Sequence, residues 1–114
     1  MSSARLTSQM LASAFMRLAS RDNGFAAVIA KGDPTSGALL LQLLEKGRFF
    51  GLFERTLDAS GSYSWGRTGP QDIENTELLA EYLERRRSRD PDLWIVELDI
   101  PDAERFIAES LPNA

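Results

Sequence analysis

The strongest constraint on the fold lies in residues 73–99, where the spacing of apolar side chains changes from a helical to a strand period within a few positions. Leu78, Leu79, Tyr82 and Leu83 recur at the spacing of one helix face. The run Arg85-Arg86-Arg87-Ser88-Arg89 follows, then Asp90-Pro91-Asp92, then Leu93-Trp94-Ile95-Val96-Glu97-Leu98-Asp99, whose aromatic and β-branched residues suit a strand. Pro91 denies Asp90 the helical conformation, so the helix must end here and the chain must turn. Helix and strand are thus adjacent in sequence, which points to a mixed architecture.

The remaining chain supplies more of both. Leu6, Met10, Leu11, Ala14, Phe15 and Leu18 form a helical stripe, predicting a first helix over 7–21, capped by Thr7 or Ser8 and stopped at Asn23-Gly24. Residues 1–21 hold Arg5, Arg17 and Arg21, five serines and no acidic residue, the composition of an organellar transit peptide, but the stripe favours a helix that packs. Residues 25–31 read as a short strand, and Gly32-Asp33-Pro34-Thr35-Ser36-Gly37 as a hairpin loop. Segment 38–45 is boxed between Gly37 and Gly47 and is too short for a good helix, so it reads as a buried strand despite its leucines. Lys46-Gly47 makes a tight turn into a third strand over 48–56, and Asp58-Ala59-Ser60-Gly61 turns into a fourth over 62–67. The second helix is expected over 73–88 with Asp72 or Asn75 as its cap, the fifth strand over 93–99, and a closing helix carrying Ala103, Phe106, Ile107 and Leu111.

The order α-β-β-β-β-α-β-α predicts an α+β two-layer sandwich with a mainly antiparallel five-stranded sheet, in a single domain spanning 1–114. Three strands are apolar on both sides: Phe49 and Phe53 oppose Phe50 and Leu52, Leu39 to Leu43 oppose Leu40 and Leu44, and Trp94 to Leu98 oppose Leu93 and Ile95. Either the helices divide between the two faces or a partner, most simply a second copy of the chain, covers one of them.

Composition removes several chemistries. With no histidine and no cysteine, the chain has neither the commonest general base nor imidazole or thiolate metal ligands, and it offers no disulfide framework. The balance of 13 basic against 17 acidic residues, a net charge of -4, argues against coating nucleic acid or an anionic membrane through the overall field. No apolar run approaches the length that spans a bilayer. A soluble cytoplasmic protein without cofactor or metal is the expectation.

Three groups are candidate sites. Arg85, Arg86, Arg87 and Arg89, near Tyr82 and Trp94, could grip an anion or stack on a base. They could equally complement the helix dipole and pair with Glu81 and Glu84 at i,i+4 and i,i+3 spacing, and this is the favoured reading. Asp90 and Asp92 could act as paired carboxylates, but the proline between them favours a turn that Asp90 closes, or from which it pairs with a nearby arginine, while Asp92 hydrogen-bonds the backbone at the start of the strand. Tyr63, Trp65 and Arg67 alternate onto one side of an edge strand, as a contact surface or as the rim of the core. The loop at Gly32–Gly37 lacks the glycine spacing and the Lys-Ser or Lys-Thr ending of a phosphate loop.

The arginine-rich helix end with Asp90-Pro91-Asp92-Leu93-Trp94-Ile95-Val96-Glu97-Leu98-Asp99, together with Lys31-Gly32-Asp33, Gly37 and the opening Arg5-Leu6 helix with Arg17, resembles a small alphaproteobacterial-type family known as domain of unknown function 1491. The likeness runs from Leu6 to about Glu109. It implies a bacterial cytoplasmic protein, keeps the first helix within the domain, and carries over no activity, substrate or cofactor. The family pattern has an aromatic residue before Asp-Pro-Asp where Arg89 stands here, so no aromatic role transfers to that position. The function expected is that of a non-catalytic module binding a second copy or another protein. The alternatives are a nucleic-acid or nucleotide-binding accessory protein using the arginines with Tyr63 and Trp65, and an enzyme working with carboxylates and arginines.

Overall fold

The computed structural model describes residues 6–57, 59–70 and 76–111. Its elements are α1 (Ser8–Arg21), β1 (Phe25–Ala30), β2 (Leu39–Glu45), β3 (Arg48–Leu57), β4 (Tyr63–Arg67), α2 (Thr76–Arg89), β5 (Trp94–Ile100) and α3 (Ala103–Ser110). Thr7 caps α1, its side chain accepting the Met10 N–H, and Asn23 at φ 64° supplies the left-handed residue that ends the helix. Lys46 and Gly47, at φ 51° and 82°, form the primed turn that joins β2 to β3. The expected start of α2 at Ile73 and its caps Asp72 and Asn75 lie outside the described residues, as does Asp58 of the turn before β4.

The element order and the α+β class are as expected, and the sheet runs β1-β5-β2-β3-β4. Three of its strand pairs are antiparallel and one, β2 with β5, is parallel. The parallel pair follows from the path of the chain. Strand β4 runs with β2, and α2 carries the chain from β4 across one face to a strand of the same direction, as a crossover helix must. Strand β5 is buried at five of its seven positions and therefore takes the interior place.

That insertion overturns the hairpin expected at Gly32–Gly37, because β1 and β2 are not neighbours and β5 lies between them. The loop instead clamps the start of β5. Asp33 N–H donates to the Asp92 carbonyl at 3.0 Å, Trp94 N–H to Ala38 O at 2.8 Å, and the Trp94 indole N–H to Asp33 O at 2.7 Å. Gly32 and Gly37 are required here by close approach, since a Cβ on either would lie 2.1 Å from the Asp92 oxygen. The same loop closes α1, for Ser8 and Gln9 N–H donate to Thr35 O and Pro34 O at 3.2 and 2.9 Å, and the Ser8 hydroxyl donates to Gly37 O. Asp33 folds the loop by accepting Ser36 N–H at 2.8 Å, Thr35 N–H at 3.2 Å and the Ser36 hydroxyl at 3.1 Å. These bonds, above all that from Ser36 N–H, hold its carboxyl below the ordinary value of 3.8.

The helices divide between the two faces, so the sandwich is three layers deep, one more than expected. On one face α1 and α3 pack Leu11, Ala12, Phe15, Ala19 and Phe106 against Leu39, Leu41, Leu43, Phe53, Trp94, Val96 and Leu98. On the other, Leu79 and Leu83 of α2 pack against Leu40, Leu52, Leu93 and Ile95. A bulge separates Phe49 from Phe53, which were expected to share a face: Leu43 pairs with Gly51 but Leu44 with Phe49, so Phe50 is the extra residue. Phe49 consequently joins the α2 side and Phe53 the other. Three residues of the expected stripes, Leu6, Met10 and Leu78, are exposed. In α1 the small Ala12 and Ala19 take their place, which lets the helix lie close to the sheet.

Substituting Gly37→Ala is expected to cost about 2 kcal/mol or more in chemical denaturation, because the oxygen it would strike belongs to the backbone. Gly66→Ala, with nothing within 4 Å of its Cβ, is expected to change stability by less than about 1 kcal/mol. For Asp33 the folded pKa lies below the unfolded one. Its contribution is therefore full above the unfolded value and is lost as pH falls through the folded value. Carboxyl NMR titration is expected to place the Asp33 midpoint below 3.8, and Asp33→Asn to remove that part of the acid limb.

Candidate functional site

Successive residues of a helix point about 100° apart, so a run of arginines cannot act as one patch. In the last turns of α2 the side chains separate accordingly. Arg86 turns inward and meets Glu54 of β3 in a two-pronged pair, Nη1 to Oε1 at 2.9 Å and Nη2 to Oε2 at 2.7 Å. Its Nη1 also donates to the Tyr82 hydroxyl at 3.1 Å, which in turn lies 3.3 Å from Thr68 Oγ1. Both charged side chains are only about a fifth exposed, at 22% and 20%, and the hydrogen bonds Arg86 donates to Glu54 raise its pKa further above the ordinary value. Arg86 thus fastens α2 to the sheet.

Arg87 lines a shallow cleft of about 360 Å³ between the end of β1 and the last turn of α2, shared with Lys31, Glu84, Ser88, Pro91 and Leu93. Arg85 and Arg89 line a second hollow with Glu81, Glu84 and Ser88. The pairs expected between Glu81 and Arg85 and between Glu84 and Arg87 are not formed. Among the described residues Arg85, Arg87 and Arg89 have no carboxylate within 4 Å, and the i,i+4 ion pair found is Arg105 with Glu109 at 3.2 Å. Glu84 borders both hollows, so neither presents an unbroken positive lining to a phosphate.

Asp90 closes the turn as expected, whereas the bond expected from the Asp92 side chain to the backbone is not found among the described residues. Asp90 Oδ1 accepts the Asp92 N–H at 3.1 Å, and Asp90 O accepts the Leu93 N–H at 3.1 Å. Among the described residues no three acidic side chains gather as metal ligands.

Tyr63, Trp65 and Arg67 stand on the α1 face of β4, across the sheet from the arginines of α2. Trp65 packs edge-on against Phe15 with ring centroids 5.3 Å apart, and Arg67 lies 5.0 Å from the Phe50 and Phe53 ring centres. Arg55 covers the Tyr63 ring at 4.1 Å. The two candidate groups therefore do not converge on one surface.

A third surface was not singled out from the sequence. Strand β1 (Phe25–Ala30) is the outer strand beyond β5, and five of its six residues are exposed. Phe25 is 77% exposed, Ile29 45% and Val28 41%. The available signal was the run Phe-Ala-Ala-Val-Ile-Ala, free of charge and of proline, set between Asp22 and Lys31.

Among the described residues no helix is long and apolar enough to cross a membrane. Residues 6–108 match the model of a family described as "Protein of unknown function (DUF1491)". The crystal structure of a DUF1491 family protein from Caulobacter crescentus CB15 is similar at a TM-score of 0.76 and 30% identity, over 86% of this chain and 91% of that one. An NMR structure of a DUF1491 family protein from the same organism gives 0.76 and 29%, over 88% and 90%. Protein Atu0922 from A. tumefaciens, solved in solution, gives 0.71 and 30%, over 87% and 89%. No curated protein matches the chain.

Arg86→Ala and Glu54→Ala are each expected to cost about 2 kcal/mol, below the figure for a fully buried pair because water still reaches both groups. The double variant should cost clearly less than the two together. Arg85→Ala, Arg87→Ala and Arg89→Ala should each stay within about 0.5 kcal/mol, as measured by urea denaturation.

Proposed function

The chain belongs to the DUF1491 family, and from that premise we propose that it is a non-catalytic protein-interaction module, acting in the cytoplasm through the outer edge of β1. The observation that supports this reading is the contrast between the two edges of the sheet. At β4 the edge carries Arg67 and is flanked by Arg55 over Tyr63, and charge discourages another strand from adding there. At β1 the edge is a strand without a charged residue, its large side chains exposed. The bulge at Ile29 is its one protective device and leaves residues 25–28 in regular register.

An added strand would satisfy the free backbone groups of that edge and cover the side chains on either side. Covering what remains exposed of Phe25, Val28 and Ile29 is worth about 3–4 kcal/mol. Association costs at least about 4 kcal/mol, so this surface alone supports only weak binding, and a tight partner must bring apolar area of its own.

The nucleic-acid reading keeps one supporting observation, the absence of ion pairs at Arg85, Arg87 and Arg89 among the described residues. Against it stand the interleaved Glu81 and Glu84 and the placement of Tyr63 and Trp65 on the other face.

A photo-crosslinking amino acid placed at Ile29 in cells is expected to give protein adducts that Val28→Lys removes and that moderate salt leaves unchanged. The same group at Arg89 or Glu104 should give few. Adducts from Arg89 that fade steeply with salt, with none from Ile29, would overturn this reading in favour of the arginines.

A further inference from the structure

We infer that the partner of β1 is the β1 strand of a second copy of this chain, added antiparallel so that two five-stranded sheets become one of ten. The inference rests on the interaction reading of β1 and adds the identity of the occupant.

Symmetry restricts how two such strands can meet. A two-fold axis that pairs identical antiparallel strands stands normal to the sheet and leaves each face on its own side. Facing residues must then share a face, so the pairing centres on a residue opposite its own copy. Centring on Ala27 sets Ala26 against Val28 and Phe25 against Ile29, with the bulge at the margin of the shared ladder.

The side chains fit this register. Phe25 and Ile29, the most exposed large residues of the strand, cover one another twice in an aromatic and β-branched pairing. Val28 meets an alanine, and alanine meets alanine on the axis, so no pair is overcrowded. No charge faces its own copy within the strand, the usual obstacle to self-pairing. The flanks are complementary: continuing the register sets Lys31 of one copy opposite Asn23 of the other and beside its Asp22, at both ends. A second copy also contributes a Phe25, Val28 and Ile29 of its own, the additional apolar area that the binding needs.

The absence of cysteine gives a clean test. Opposed Cα atoms in such a ladder are about 4.5–5.5 Å apart, within the range a disulfide spans. Under mild oxidation Ala27→Cys should form a covalent dimer at least about tenfold faster than Glu104→Cys on the exposed side of α3. In sedimentation equilibrium the full chain should move from 12.7 kDa toward twice that mass between micromolar and near-millimolar concentration. Val28→Lys, with its fold checked by circular dichroism, should weaken this association by about tenfold or more. A strict monomer throughout the range with Ala27→Cys no faster than Glu104→Cys overturns the inference, as does a dimer that Val28→Lys leaves intact. If the self-pairing fails while Ile29 still crosslinks to other proteins, β1 remains the interaction edge with a different occupant; if both fail, the interaction reading falls as well.

Discussion

The carbonyl of Asp92 is the point on which the register of this sheet depends. It receives the Asp33 N–H, and two glycines of the same loop leave it room. Two residues later Trp94 is held by both of its N–H groups, to Ala38 and to Asp33. These contacts fix the start of β5 beside β2. A slip of one residue would turn Trp94, Val96 and Leu98 out of the core they share with α1 and α3 and into the space of α2. Because the loop also accepts the first N–H groups of α1, the helix over one face and the inserted strand β5 are positioned by the same few atoms.

From an interior, two-sided β5 the rest of the cover follows. The crossover from β4 places α2 on one face, where Arg86 and Glu54 tie its last turns to β3. The opposite face receives α1 and α3. Helix α2 packs on Leu93 and Ile95 at the start of β5, and further along the strand Glu97 and Asp99 lie opposite Ala27 and Phe25 of β1. Polar groups can stay at this end because they find partners, Gln42 for Glu97 and the Gly47 N–H for Asp99. Phe25 has no comparable means of satisfying itself in water, and it is left on the uncovered end of the sheet.

Local signals in the sequence carried the elements well. The stops and turns at Asn23, Lys46-Gly47 and Asp90-Pro91 all act through backbone preferences of a few residues, and such preferences survive tertiary packing. What failed was non-local. Gly32–Gly37 has the chemistry of a hairpin loop, and nothing within it reports that β5, some 55 residues further along by the span from Gly37 to Asp92, will enter between the strands it joins. The bulge at Phe50 inverted the face of Phe49 by a single uncounted residue. Of the candidate site residues, the turn at Asp90 was legible because it is local. The partner of Arg86 was not, since Glu54 is 32 positions away in sequence and only the folded sheet brings it beside the helix.

The same distinction explains why the proposed interaction rests on an apolar strand and not on the arginine run, the most conspicuous feature of the sequence. Guanidinium groups on an exposed helix end are well hydrated, and the C-terminal dipole of the helix favours them, so they need no partner to be stable. Their exposure therefore carries little information. An apolar strand without a charge at the edge of a sheet differs, because it leaves both backbone groups and apolar surface in contact with water that a neighbouring strand would remove. The chain guards its other edge with Arg55 and Arg67. Leaving β1 bare while guarding β4 makes the exposed strand, rather than the charged helix end, the surface on which the proposed interaction rests.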